Sequence, residues 1–301
     1  MTKVVKEQQK IDYSKIYSPS KLKLFIQCPQ EYFFNYLDPV KMKMKTKLKQ
    51  MPENIYPFHT LGKAVHNAIT LYYYLPLAQR NKENLLKKLE EAWISEARWN
   101  KKPPLLQWGG FESIEEERGV YAEAIKMLRN FLKTADENPA IHYLPTEDFR
   151  RSIKDYQDLI VSLTDDYDIS GKFDLITKDD DGSLHIIDFK TAKREETDPF
   201  QLDFYQLLAE LNFDQPVKKA SFYFLKSGKK KSFKVKKEAE EIKNDVLARI
   251  EKIKKTKEWQ PKPSKLCQYC LFTSFCPAKK KAEELTKKVD EEELYSDDLP
   301  F

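Results

Sequence analysis

Two aspartates and a lysine in the stretch Ile169–Lys193 have the types and spacing to make a hydrolytic site. The stretch, ISGKFDLITKDDDGSLHIIDFKTAK, reads as two extended runs, Ile169–Thr177 and Ser183–Phe189, joined by the Asp181-Gly182 signal of a tight hairpin. Side chains alternate along a strand, so Asp188 and Lys190 project from one face, where Asp174 can join them from the neighbouring strand. Two carboxylates can hold a divalent cation while an ammonium holds a water or a phosphate, the arrangement that metal-assisted phosphodiester hydrolysis needs. The plainer reading is a solvated strand end. Against it stands the apolar run Leu184, Ile186 and Ile187, which leads directly into Asp188.

A second set of residues is sulfur. Cys267-x-x-Cys270 and Cys276 place three thiols within ten residues, among Tyr269, Phe272 and Phe275. Thiolates are soft donors that suit zinc or iron–sulfur. The fourth cysteine, Cys28, lies far back in the chain. Either it completes a four-thiolate site that staples the two ends together, or the three thiols take an outside ligand and Cys28 is merely buried.

The elements that must position these groups follow from periodicity. Ser18 or Ser20 can cap a helix with Pro19 in its first turn, and Pro29 breaks or restarts it after Cys28. Leu22, Phe25 and Ile26 recur at helical spacing, and Tyr32, Phe33, Tyr36 and Leu37 continue an aromatic face. The lysine-rich Lys41–Gln50 reads as a loop or a helix end near a polyanion. Phe58–Tyr74 reads as a helix bearing His66, a structural polar residue unless the carboxylates need a third ligand. Two amphipathic helices, Asn84–Trp99 and Ser113–Asn138, follow. Strand character begins near Tyr143, with Glu147 and Phe149 opening one run and Asp158–Thr164 another. Pro199–Phe213 is a strong helix with Gln201 and Tyr205 on one face and Leu202, Leu207, Leu208 and Leu211 available to the core. Ala220–Leu225 extends the sheet, Ser232–Val235 pairs with it across Ser227-Gly228, and Lys236–Glu258 is a helix buried through Ile242, Val246, Ile250 and Ile253.

Composition narrows the class of protein. The 301 residues can bury a sizeable core, the mean hydropathy is −0.69, and no apolar run suggests a membrane span. The N-terminus lacks the apolar centre of a signal peptide, so a cytoplasmic location without disulfides is expected. Net charge is +5 even though Asp290–Phe301 carries six acids and no base, so the rest of the chain is more basic and suits nucleic acid.

Six features taken in order make the sequence similar to the RecB-like branch of the PD-(D/E)XK nuclease superfamily, in particular to its cluster-bearing members: the AddB C-terminal nuclease and the four-cysteine CRISPR-associated adaptation nucleases. They are the Ser20–Phe34 string with Cys28, Gly62-x-x-x-His66, Gly171-x-x-Asp174, Asp188-Phe189-Lys190-Thr191, Gln201-x-x-x-Tyr205 and the terminal cysteine triplet. The resemblance implies an α/β (α+β) restriction-endonuclease-like core with a central mixed sheet flanked by helices. It divides the chain into an N-terminal segment with the first cluster cysteine (1–58), a helical insertion carrying His66 (59–140), the nuclease core (141–258), an iron–sulfur segment (259–280) and an acidic tail (281–301). That insertion is longer than in the compact CRISPR members.

Carried onto this chain, the resemblance implies that His66, Asp174 and Asp188 bind Mg²⁺ or Mn²⁺ with the Phe189 carbonyl. Lys190 positions or activates the attacking water, and Gln201 and Tyr205 orient DNA and the lysine. Cys28, Cys267, Cys270 and Cys276 match the ligands of a structural [4Fe–4S] cluster. Glu147 matches an acidic position too loosely to be counted catalytic. The expected activity is that of a DNA exonuclease acting on single strands or ends in recombination, repair or phage and CRISPR DNA processing. A nuclease-fold binding subunit and a zinc-stabilised nucleic-acid-binding protein are the alternatives. The end of the chain, Ser296–Phe301, resembles the acidic tip of bacterial single-stranded DNA-binding proteins. That likeness implies docking on repair or recombination proteins through Phe301, and electrostatic restraint of DNA binding is the competing use of the same acids.

Overall fold

The computed structural model describes residues 12–96, 103–145, 159–193 and 199–286. The strands are β1 (Ile16–Tyr17), β2 (Ile141–Tyr143), β3 (Ile160–Ser162), β4 (Asp168–Ser170), β5 (Leu175–Lys178), β6 (Leu184–Lys190), β7 (Val217–Phe224) and β8 (Lys229–Lys234). The helices are α1 (Pro19–Gln27), α2 (Pro29–Tyr36), α3 (Pro39–Gln50), α4 (Pro57–Tyr73), α5 (Lys82–Glu96), α6 (Ile114–Thr134), α7 (Pro199–Phe213), α8 (Ala239–Lys255) and α9 (Lys279–Thr286).

A five-stranded sheet in the order β2-β5-β6-β7-β8 forms the centre, mixed because β6 and β7 run parallel while the other pairs are antiparallel. The parallel pair needs a crossover, and α7 supplies it, as the apolar spacing of Leu202, Leu207 and Leu208 requires. Side chains alternate across β6 and divide the core in two. Leu184 and Ile186 enter a cluster with Leu202, Phe204 and Leu208 of α7 and Ile242, Val246 and Ile250 of α8. Ile187 and Phe189 enter the other, with Leu61, Val65 and Ile69 of α4 and with Leu128 and Phe131 of α6. The helical segment 59–140 is thus the second covering layer of the sheet. The mixed α/β architecture expected for a PD-(D/E)XK core is the one observed.

Several local expectations are revised. The single strand expected over Ile169–Thr177 is two, because β4 leaves to a second, three-stranded sheet in the order β1-β4-β3, pairing in parallel with β1. Between β4 and β5 lies Gly171, where an added Cβ would stand 2.8 Å from Leu208 Cδ2 and 3.2 Å from Tyr205 Cε1, so the chain passes against α7 where only hydrogen fits. Lys41–Gln50 belongs to a regular helix, α3, begun by Pro39 at its first turn and by Asp38 Oδ1, which accepts from the N–H groups of Val40 (2.8 Å) and Lys41 (3.1 Å). Of the two possible caps of α1, Ser18 is the one used. Leu211 does not serve the core and is 42% exposed, and Ile26 is also exposed. Glu147 and Phe149 lie outside the described residues.

The hairpin forms as expected. Gly182 takes φ +83° in the turn, with Asp179 N–H donating to the Ser183 carbonyl at 2.9 Å. Asp181 Oδ1 accepts from both the N–H and the hydroxyl of Ser183. No described helix is long and apolar enough to cross a membrane.

Candidate active site

The hairpin register brings the acids together. Leu175 pairs with Ile187, so Asp174, one residue before β5, stands opposite Asp188 in β6. Lys190, two residues further along β6, shares the face of Asp188, and its Nζ lies 3.0 Å from Asp188 Oδ2. That contact is an ion pair, and the buried Oδ2 has no hydrogen-bond partner beyond the ammonium it faces.

Most of the remaining polar atoms of the group are tied to another element. Asp174 Oδ2 accepts from the Phe189 N–H (2.9 Å), which locks it to β6, and Oδ1 accepts from His66 Nδ1 (2.8 Å) on α4. From α7, Gln201 bridges the set: its Oε1 accepts from Lys190 Nζ (3.1 Å) and its Nε2 donates to Asp188 Oδ1 (3.5 Å) and to the Tyr205 hydroxyl (3.4 Å). His66 of α4, Asp174 just before β5, Asp188 and Lys190 of β6, and Gln201 and Tyr205 of α7 are thereby gathered at one place. Phe189 takes part through its N–H.

Burial and charge set the protonation states in opposite directions. Burial alone would depress His66, but the Asp174 carboxylate beside it wins and holds the imidazole above its ordinary pKa. Burial pushes Asp174 up, and His66, the Phe189 N–H and Lys190 bring it below the usual carboxylate range. Asp188 is held above that range by burial, which Lys190 opposes and Asp174 reinforces. Burial and the charge of Asp188 raise the Tyr205 phenol. Two neighbouring carboxylates pushed apart in pKa, with an orphaned oxygen between them, make a place that favours an added cation.

The supporting contacts were less visible in sequence. Phe222 stands opposite Asp188 in the parallel register and lies under the Lys190 ammonium, 5.0 Å from nitrogen to ring centroid. Phe173 packs edge-on against Tyr205 at 5.3 Å. Gly62 lets α4 approach the end of β6, since a Cβ there would meet Thr191 Oγ1 at 3.3 Å. The alternation Ala220, Phe222, Phe224 was the available signal for the first of these, but only the parallel pairing says which ring meets the lysine.

The four cysteines meet at a different place. Cys28, between α1 and α2, lines one cavity of about 50 Å³ with Cys267, Cys270, Cys276 and Glu31. The Lys262 N–H points at Cys28 Sγ (3.5 Å) and the Ser264 N–H at Cys267 Sγ (3.3 Å). Burial pushes the thiols of Cys28, Cys267 and Cys270 up. Aromatic rings hold the segment against the N-terminal helices: Trp259 stacks on Tyr32 at 5.8 Å and on Phe33 at 5.6 Å, and Phe34 meets Phe272 at 5.6 Å. As the side chains stand, no group of three or more His, Cys, Asp or Glu among the described residues is arranged to hold a metal ion, here or at the carboxylates.

A model of the PD-(D/E)XK nuclease superfamily matches residues 16–277. The chain belongs to this superfamily. Membership implies a nuclease and, for the superfamily, a divalent metal, and the matched span runs from β1 through the last cysteine of the PD-(D/E)XK chain. Among solved structures, one titled "Crystal structure of SSO0001" is similar over 90% of this chain and 89% of its own, at 13% identity and a TM-score of 0.35. No curated protein matches the sequence.

Proposed function

We propose that the protein is a metal-dependent DNA exonuclease of the RecB-like type, working on single strands or ends in recombination, repair or phage and CRISPR DNA processing. The observation that carries the reading is Asp188: a buried carboxylate with one oxygen lacking a hydrogen bond, beside a second carboxylate and 3.0 Å from the Lys190 ammonium. That orphaned acceptor and the oxygen donors around it fit Mg²⁺ or Mn²⁺. Asp188, Asp174, His66 and the Phe189 carbonyl are the groups proposed to hold it, with Asp174 releasing His66 from the hydrogen bond between them. A divalent cation there would polarise a phosphoryl oxygen and make a water nucleophilic near neutral pH.

The protein groups then have distinct tasks. Lys190 is close enough to steer the attacking water and offset charge building on the phosphate. Gln201 fixes the lysine by accepting from its ammonium while donating to Asp188, so the two reactive side chains keep one spacing. Tyr205, held neutral by its raised pKa, is a hydrogen-bond donor for a phosphate or sugar oxygen. We further assign the cysteine cavity to a structural [4Fe–4S] cluster, supported by four thiols lining one space and two N–H groups aimed at sulfur. Because the thiols are not arranged as a ligand group in the structure, binding would require their side chains to turn toward one another.

The test is a time course on end-labelled single- and double-stranded DNA with Mg²⁺ or Mn²⁺, using protein purified without oxygen. Stepwise shortening from one end that ceases on chelation is expected. Binding without any cleavage under either metal would instead support a DNA-binding subunit, to be recruited through the Phe301 tip.

A further inference from the structure

Helix α3 is unusual in how little it gives the fold. Its sequence is PVKMKMKTKLKQ, with lysines at 41, 43, 45, 47 and 49, no acid, and no buried residue. Between the lysines Val40 is 60% exposed and Met42 45% exposed. One face of α3 rests on the fold through Lys41 and Lys45, and the other turns Val40, Met42, Lys43 and Lys47 outward, charge beside large apolar groups, which is the composition of a docking surface. Its charges also act on one another: burial, together with Lys49, brings Lys45 down to about 8, although Glu31 opposes the shift.

We propose that α3 is the docking surface for the chain's own acidic end, residues 287–301, which lie outside the described residues. Charge complementarity is the first argument. From Asp290 onward this segment holds six acids without a base, and Leu294, Tyr295, Leu299 and Phe301 are interspersed as apolar partners for Val40 and Met42. Position is the second. The last described helix, α9, packs on the turns 265–269 and 273–275 of the cysteine segment, and Phe275 of the second turn lies under the Lys41 ammonium, 3.7 Å from nitrogen to ring centroid. The segment therefore follows a helix that packs on the same turns that Lys41 of α3 touches. Fifteen residues can extend up to about 50 Å, and α3 with its 12 residues is about 18 Å long. The inference is independent of whether the carboxylate site cleaves DNA.

Zero-length carbodiimide coupling of the intact chain, read by peptide mass spectrometry, tests it, because that reagent joins a lysine to a carboxylate only in direct contact. Links from Asp290–Glu293 to Lys43 and Lys47 are expected at low salt, independent of protein concentration. They should fall about tenfold at roughly 1 M salt, where screening acts within about 3 Å. The double variant Lys43→Glu, Lys47→Glu changes two exposed side chains, so it keeps the fold by circular dichroism and should lose the links. Links spread evenly over lysines elsewhere, links that form only between molecules, or none at all overturn the proposal. So does protection of Lys43 and Lys47 by a single-stranded oligonucleotide with no link to the acidic end, which would make α3 a nucleic-acid surface.

Discussion

The carboxylate site and the cysteine cavity are both built from residues far apart in sequence, but they are held in opposite ways. At the first, strand register and hydrogen bonds among the chain's own groups do the work: Asp174 is tied to β6 and α4, and Gln201 ties α7 to Lys190 and Asp188. At the second, the clasp is mostly aromatic, with Trp259 stacked on Tyr32 and Phe33, while the four cysteines line one small cavity with burial raising three of their thiols. A site assembled by its own hydrogen bonds survives loss of its ligand. A cavity lined by thiols gains much of its order from what binds them.

Breaking the first site should therefore remove activity without unfolding the chain. Lys190→Ala is expected to lower DNA cleavage by roughly 10²–10³-fold, the usual cost of losing one charged group aimed at developing charge. Asp188→Asn should be as inactive and at least as stable as the parent, because the charge it removes is one that burial penalises. Wild-type cleavage by either variant, with thermal unfolding measured alongside, would dissolve the site. The converse is expected at the cavity. With the proposed cluster in place, Cys270→Ser should lose visible absorption and lower the unfolding temperature, an effect of about 3 kcal/mol or more where a metal couples to folding. Unchanged colour and unchanged stability would leave only the aromatic clasp.

Gly171→Ala sharpens the comparison by straining the first site from beneath. The new methyl meets Leu208 and Tyr205, so overpacking of about 1–3 kcal/mol is expected. Its readout is a fall in cleavage larger than that of a distant variant matched for stability, since Tyr205 must shift with its link to Gln201.

How much could be read beforehand depended on whether the signal was local. The Asp181-Gly182 hairpin, the bounds of α7 and the shared face of Asp188 and Lys190 need only neighbouring residues, and each is found as expected. The division of the chain at Gly171 depends on Ile16 and Tyr17 pairing with Asp168 and Ile169, across a separation no periodicity reports. Helix α3 was missed for another reason: with lysine at every second position it has no apolar stripe, although Asp38-Pro39 announced its start. Convergence of the four cysteines was open from spacing alone, since nothing local places Cys28 near Cys267.

The N-terminal half of the clasp can be probed apart from its cysteines through Lys21, and here the expected effect is smallest. Lys21 is 7% exposed, donates from Nζ to the Ile16 carbonyl at 2.7 Å and lies over the rings of Tyr17 and Tyr36. Burial, with Lys254 and Lys45 nearby, lowers its pKa from 10.5 to about 8. A lysine depressed in the folded state is a penalty fully present below about pH 8, where folded and unfolded chains are both protonated. Between about pH 8 and 10.5 the unfolded chain alone keeps the proton, so stability gains with rising pH. The shift sets an upper bound of about 3 kcal/mol, and the hydrogen bond to Ile16 returns about 1.5–3 of it. Lys21→Met should therefore match the parent within about 1 kcal/mol at pH 7. Over that pH window the parent should gain on the variant by about 1–3 kcal/mol in denaturant unfolding. Lys45 shares the same window, and only the difference between the two proteins isolates Lys21. A parent that loses stability relative to the variant across pH 8–10.5 would mean that the ammonium is better solvated than its burial at the β1–α1 junction implies.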